Sequence, residues 1–423
     1  MESGKSKRYL LYLTIIAFFG WAMASFNFNL LTETLPLMEQ SLHFGTVLAG
    51  LISGIVYLGM FTMVLIYGPL IDRLGRKLMF QIVLLVSAVF TGFTSLVTNF
   101  FQLIGLRFVA DGSAFGELPT GLTLVTEESP SNLRGTLYGF IQGGWPIGVF
   151  IGSGIYLALV SKIGWRGLYV IGVLPLIVII IGRIWIKESD RFTDMKSALN
   201  AKDKPKYKIN IEKAKEFTYK QLFEHDLLRQ TLSVNLAWIF YTLSFVTTNV
   251  VIAAIFVSYY NLTSSQAVTI LLIASGIGFF AYPLAGWYGQ KIGRREAWVL
   301  SSILMPFFAL IFYFIAKPGN FDSIMYTYIP LYFFSNGTFA APGFMYISES
   351  FPTRARGSAT AFSMALIAAS YAAGGFLFSA VLSATHNIHL TWLIIAVIIP
   401  FSSLIILAGK KINPNAELES IAY

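Results

Sequence analysis

Long apolar runs alternate with short polar breaks along almost the whole chain. Stretches long enough to cross hydrocarbon, about 20 residues each, run at roughly 10 to 32, 46 to 71, 78 to 98, 101 to 126, 136 to 159 and 165 to 187. After a polar interval they resume at roughly 231 to 258, 265 to 289, 296 to 316, 322 to 349, 357 to 383 and 388 to 409. Hydrophobicity is continuous within each run, with no alternation of period two, and backbone groups in lipid must bond within their own segment. The runs therefore predict helices and not barrel strands. Six plus six predicts an all-α membrane protein of twelve transmembrane helices. Its amino-terminal bundle covers 1–187, a linker 188–230 and a carboxy-terminal bundle 231–423.

The polar breaks repeat. Gly68-Pro-Leu-Ile-Asp72-Arg73-Leu-Gly75-Arg76-Lys77 has its echo in Gly286-Trp-Tyr-Gly-Gln290-Lys291-Ile-Gly293-Arg294-Arg295. Glu127-x-x-Pro130-x-x-x-Arg134-Gly135 returns as Glu349-x-x-Pro352-x-x-x-Arg356-Gly357. The chain thus reads as two related halves, and two similar bundles about a central cavity are the architecture of a secondary transporter.

Composition supports the membrane reading. With 56% hydrophobic and only 12% charged residues, a soluble domain would aggregate, and 16% aromatic residues suit interfacial belts. Of the 30 Lys and Arg, only Lys162, Arg166 and Lys317 fall in loops opposite the amino terminus, which predicts a multi-pass cell-membrane protein with both termini cytoplasmic. The net charge of +9 is then topological and lipid-facing, and gives no case for nucleic-acid binding. A short basic segment precedes the first run, but that run is too long for a cleaved signal and no small-residue cleavage site follows it. The linker interleaves Lys, Glu and Asp and reads as a solvated cytoplasmic tether, with a short amphipathic helix around Ile211 to Phe223. The chain has no cysteine, and its four His are scattered, so no thiolate chemistry, metal site or cofactor is expected.

As a set, the paired Gly-x-x-x-Asp-Arg-x-Gly-Arg-Lys and Glu-x-x-Pro-x-x-x-Arg-Gly phrases, with Glu188-Ser189-x-Arg191-Phe192 after the sixth run, resemble the major facilitator superfamily. Within it they resemble the branch of sugar porters and of organic-acid and organic-ion transporters, over about residues 10 to 410. The resemblance implies a monomeric carrier that works by alternating access.

The repeated charges also make sense without the family. Asp72, Arg73, Arg76, Glu127 and Arg134 of the first half, with Arg294, Glu349 and Arg356 of the second, sit at one end of the bundle, where ion pairs can latch the halves while that end is closed. Both signs recur at matched positions, whereas topology alone needs only the positive ones. Gln290 stands where the first half has Asp72, so the second latch is expected to lack that carboxylate.

Charges at membrane depth each cost at least about 2.5 kcal/mol and tend to face a cavity or a partner. The fourth run carries Arg107, Asp111 and Glu117. Arg107 and Asp111 lie one helical turn apart and can pair, and Glu117 falls near the midplane. In the first run, Phe26-Asn27-Phe28-Asn29 resembles the Phe-Gly-Tyr-Asp of proton-coupled sugar porters, with Asn29 at the Asp position. If register is set by Leu35-Pro36 instead, Asn27 takes that place. Either way an amide replaces the usual titrating group. Proton coupling would then fall to Glu117, whose Gly116-Glu117-Leu118-Pro119 context resembles the organic-acid branch, or to Asp111 or Glu33.

Candidates for solute binding are Asn27, Asn29, Gln142 and Trp145 in the first half and Asn235, Trp238, Tyr241, Asn249 and Asn336 in the second, with Arg107 as the embedded cation able to clamp an anion. This set suits a sugar or a small organic acid equally. The expected function is transport of a small polar organic solute by proton symport, with facilitated diffusion or a non-transporting sensor of the same fold as alternatives. No spacing of nucleophile, base and orienting group points to an enzyme.

Overall fold

The computed structural model describes residues 6–44, 46–201, 206–207 and 209–418. Twelve spans cross the long axis of the molecule. Span one is Lys7–Leu42, span two Thr46–Leu74, span three Arg76–Thr94 and span four Phe100–Glu128. Span five comprises Arg134–Gln142 and the helix beginning at Gly144, which runs on to Ile171 through a break at Gly164 (φ 64°, ψ 177°). Span six starts beyond that break and continues through Pro175–Trp185. In the second half, span seven joins His225–Phe245, a π-turn at Val246–Val250 and Ile252–Ser258. Span eight joins Ser264–Gly278 and Ala281–Ile292, span nine is Arg294–Ile315, span ten Phe321–Ser350 and span eleven Arg356–Thr385. Span twelve pairs Ile388–Ala396 with Pro400–Ile406. Both described chain ends lie at one end of the bundle, called here the terminal face; the opposite end is the far face.

Large apolar side chains such as Phe101, Phe314 and Phe376, each more than 70% exposed, stud the perimeter, as a surface solvated by lipid requires. Inside, small residues set the spacing of helices. Gly139 of span five and Gly286 of span eight meet across the halves, where a Cβ on Gly286 would lie 2.4 Å from the Gly135 carbonyl and 2.8 Å from the Gly139 Cα. No side chain fits that contact, so the halves touch backbone to backbone. Gly75 and Gly293 open spans three and nine at φ 113° and 109°, a conformation costly for any residue with a Cβ. Their Arg neighbours thereby turn inward from a tight corner.

The linker differs from the expected solvated tether. It forms the helix Asp190–Ala201 and two short turns, Ile211–Ala214 and Thr218–Leu222, in place of one amphipathic helix from Ile211 to Phe223. Phe192, Met195 and Ile209 make a small core of their own. Tyr219 donates from its hydroxyl to the Leu65 carbonyl at 2.7 Å and packs its ring against Phe362 of span eleven. Its apolar residues, diluted among charges in the sequence, converge on one side once the chain folds back.

Candidate functional site

At the terminal face the charged motifs interlock across the halves. Glu127 of the first half accepts from Arg76 of its own half at 3.1 Å and from Arg356 of the other at 2.8 Å. Glu349 repeats the arrangement with Arg294 of its own half at 3.0 Å and Arg134 of the other at 3.2 Å. All six side chains are buried. Asp72 receives the backbone N–H groups of Gly357 and Ser358, at the start of span eleven, at 3.0 and 2.8 Å. Here a helix start supplies unpaired donors and a positive dipole end to a carboxylate. The linker covers this layer: Ser189 donates to Glu127, and Arg76 stacks on Phe192 at 4.6 Å. Arg73, named with this set from sequence, is exposed and stands outside the network.

Gln290 fills the missing position differently. Its Oε1 accepts from the Gly135 N–H at 2.9 Å, as Asp72 accepts from Gly357, and also from Arg294 at 2.8 Å. Its amide nitrogen donates to the Ser131 carbonyl (2.9 Å), the Pro414 carbonyl (3.0 Å) and Asn415 Oδ1 (2.9 Å). A carboxylate has no proton to donate there. The amide therefore binds the segment after span twelve into the closure, where Leu418 is buried.

Above this layer lie two cavities between the halves. The central one is small, about 50 Å3, and is lined by Trp21, Phe115, Leu118, Gln142, Trp145, Trp238, Tyr241, Phe245, Tyr282, Asn336, Phe344, Ile367 and Tyr371. The second, about 330 Å3, lies toward the far face, with Asn29, Tyr57, Asn249 and Tyr332 in its wall. Trp145, Phe245 and Asn336 border both, and Tyr57 stacks on Tyr371 at 5.5 Å between them. The partition is thus an aromatic septum one side chain thick, whereas the terminal face is closed by buried ion pairs.

Of the sequence candidates, Gln142, Trp145, Trp238, Tyr241 and Asn336 line the central cavity, and Asn29 and Asn249 the outer one. Asn336 donates to Asn249 at 2.5 Å, so these two act as one polar unit beside the π-turn. Asn27, Arg107 and Asn235 line neither cavity. Arg107 is sealed inside the first half, donating through Nε to Asp111 at 2.9 Å and through Nη2 to the Asn27 carbonyl at 3.1 Å. A clamp for a solute in the cavity would need this cation at the wall, and the intrahelical pair with Asp111 holds it away. Glu33, one turn from Asn29 along span one, accepts from Ser153 of span five at 2.5 Å and is not among the residues lining either cavity.

Glu117 is also buried, with its carboxylate against Gly20 of span one and the Phe80 ring. Among the described residues it takes part in no ion pair. Its chain neighbours Phe115 and Leu118 form cavity wall, so the carboxyl sits one side-chain layer behind the site. Sequence reasoning missed Trp21, Phe115, Tyr282 and Tyr371 as wall residues. For Trp21 a signal existed: it precedes Trp238 by 217 residues (238 − 21), close to the 218 (293 − 75) between Gly75 and Gly293.

Two six-helix halves, closed at one end by matching cross-half ion pairs around an internal cavity, form an alternating-access scaffold. A family profile described as Major Facilitator Superfamily matches residues 13–375 and 237–418. The chain belongs to the major facilitator superfamily. It is accordingly a multi-pass membrane transporter and not an enzyme. Similar proteins of this superfamily include the niacin transporter NiaP of Acinetobacter baylyi, 21% identical over 95% of this chain and 94% of that one. The sialic acid transporter NanX of Escherichia coli is 25% identical over 81% and 80% of the two chains. Among solved structures, the proton:xylose symporter XylE superimposes with a TM-score of 0.75 at 16% identity, covering 95% of each chain, a likeness of fold.

Proposed function

We propose that this facilitator carries a small organic acid by proton symport, with Glu117 as the proton-coupling group. The observation that carries the reading is the Glu117 carboxyl, buried at the edge of the cavity with no ion partner among the described residues, while the one nearby cation, Arg107, is committed to Asp111. An ionised carboxylate so placed is costly, and a proton removes the cost. Access to water from alternate sides then makes proton uptake and release depend on which face is open. The terminal face is taken as cytoplasmic, the protein as a monomer in the cell membrane, and the present state as closed to the cytoplasm.

An acid suits the cavity better than a sugar. Its wall is mostly aromatic, with two amides, Gln142 and Asn336, whose N–H groups are already engaged with Tyr138 and Asn249. A sugar would bury several hydroxyls with few partners, whereas a flat acid lays its apolar body on the rings and needs partners at one end only. The name of NiaP points the same way, since niacin is a flat carboxylic acid. Facilitated diffusion is the second reading, because among the described residues no acidic side chain lines the central cavity.

The test is Glu117→Gln in proteoliposomes loaded with labelled nicotinate. The substitution is expected to abolish pH-driven accumulation while leaving exchange of labelled for unlabelled solute. Undiminished accumulation removes Glu117 from the mechanism. A wild-type protein that exchanges solute yet never concentrates it is a uniporter, and one that binds without flux is a sensor.

A further inference from the structure

A third recess lies on the outside of the first half, at the far face. About 430 Å3 in volume, it runs between Leu37, Gln40 and Ser41 of span one and Tyr156, Val160 and Ser161 of span five, and reaches the corner at Gly164. It shares no residue with either cavity between the halves, so it stands apart from the solute path. Leu157 and Ile163 beside it are 58% and 43% exposed, as side chains solvated by lipid are. The recess therefore opens to the bilayer.

Its polarity is graded with depth. Spans one and five both run toward the far face, so Leu37 and Tyr156 lie deeper than Gln40, Ser41 and Ser161, which rim the outer end. Trp165 closes that end: its indole donates to Ser41 Oγ at 2.9 Å, and its ring carries the Arg166 guanidinium at 4.2 Å. Arg166 is held in place by a bond to the Ser95 carbonyl at 2.7 Å, yet stays exposed. Lys162, next to Ser161, is exposed and forms no ion pair among the described residues. Glu33 and Glu39, the acids of this stretch of span one, line no part of the recess. Lys and Arg are scarce on the far face, where the loops hold only Lys162, Arg166 and Lys317. Two of those three stand at this rim.

We propose that this groove seats one anionic phospholipid of the far-face leaflet, its phosphate held by Lys162 and Arg166 and the top of an acyl chain lying on Leu37, Tyr156 and Val160. The wall is cationic at its outer edge, polar at the rim and apolar below, which is the order of groups along such a lipid. A soluble anion would meet the same cations but leave the apolar floor uncovered. A Cβ on Gly164 would meet nothing within 4 Å, so the corner itself leaves room for the headgroup. Once seated, the lipid joins span one to the corner between spans five and six.

Native mass spectrometry of the full-length protein in detergent tests this, with dioleoyl phosphatidylglycerol, dioleoyl phosphatidylcholine and the chain-free headgroup glycerophosphoglycerol as probes. One phosphatidylglycerol is expected to bind about tenfold more tightly than phosphatidylcholine, and glycerophosphoglycerol should not compete at the same concentrations. Lys162→Gln should weaken phosphatidylglycerol roughly fivefold, the effect of one interfacial cation, and leave phosphatidylcholine nearly unchanged. Val160→Trp fills the floor, spares both cations and should displace the lipid. Lys162→Gln alters only an exposed side chain, so it keeps the test open if Val160→Trp unsettles the helix. A phosphatidylglycerol with a diazirine high on its chain should crosslink to the peptides holding Leu37 and Val160. Equal affinity for the two lipids, a preference that survives both variants, or crosslinks spread evenly around the perimeter overturns the proposal. Competition by glycerophosphoglycerol overturns it too, because the site would then take an anion and not a lipid.

Discussion

The Arg107–Asp111 pair illustrates how residue type can be legible when role is not. Two charges one turn apart in an apolar run had to pair, and they do, with no exposed surface on either. The direction they face did not follow. An apolar run surrounded by lipid and protein carries almost no periodic signal to tell wall from interior, so Arg107 was as good a clamp in sequence as Gln142. The pair is read here as structural, holding span four to the Asn27 carbonyl of span one. Arg107→Leu or Asp111→Asn alone leaves a buried charge uncompensated and is expected to cost about 3–5 kcal/mol. The double variant Arg107→Leu/Asp111→Leu should be markedly more stable than either single one. Thermal unfolding in detergent measures this, and a double variant as unstable as the singles would argue against a structural pair. Trp21 makes the complementary point, because its place was recorded in the repeat yet concealed by a sequence with 37 Phe, 21 Tyr and 8 Trp.

Elements were easier to read than residues, because continuous hydrophobicity over about 20 residues has few other outcomes. All twelve runs became helical spans. What escaped was interruption within a span: the π-turn in span seven rests on tertiary contacts that no local propensity records. The break at Gly164 (φ 64°), by contrast, falls in the interval already read between the fifth and sixth runs, at a residue whose missing Cβ permits it. Trp392 donates to the Thr247 carbonyl at 3.2 Å and Tyr328 to the Thr248 carbonyl at 3.1 Å, and these outside donors support the carbonyls of the π-turn. The segment after span twelve escaped as well. Gln290 appeared in sequence as a lost carboxylate, whereas its amide gathers Ser131, Pro414 and Asn415 about one nitrogen. Gln290→Glu would turn that donor into an acceptor facing three oxygens. With each lost bond contributing about 0.5–1.5 kcal/mol, closure of the terminal face should weaken roughly tenfold. The native chain has no cysteine, so a single cysteine introduced at Ile367 in the cavity wall reports on access cleanly. Labelling by an impermeant maleimide from the terminal face should accelerate in Gln290→Glu and in a chain ending at Gly409, and combining the two should add little. Additive effects would show that tail and glutamine act separately.

At the scale of the molecule, closure is asymmetric. The terminal face holds two cross-half clusters of ion pairs whose six charges are all buried, while the far-face side of the central cavity is bounded by the Trp145, Phe245 and Tyr57–Tyr371 septum. Opening the terminal face must exchange those pairs for water, whereas passing the septum needs only rotation of rings. Rocking also needs a contact about which little moves until the terminal face parts, and the Gly139–Gly286 approach has the required geometry. A branched side chain at Gly286 has no space while the halves touch there, since overpacking of this kind costs typically 1–3 kcal/mol. That cost vanishes once the halves separate. Gly286→Leu should therefore shift the protein toward the state open at the terminal face by roughly ten- to hundredfold. Position 367 would then be labelled faster from the terminal side and more slowly from the far side, with net transport reduced and the thermal transition lowered only slightly. Labelling slowed equally from both sides would mean that the leucine merely jams the bundle, and that the terminal face does not part at this contact.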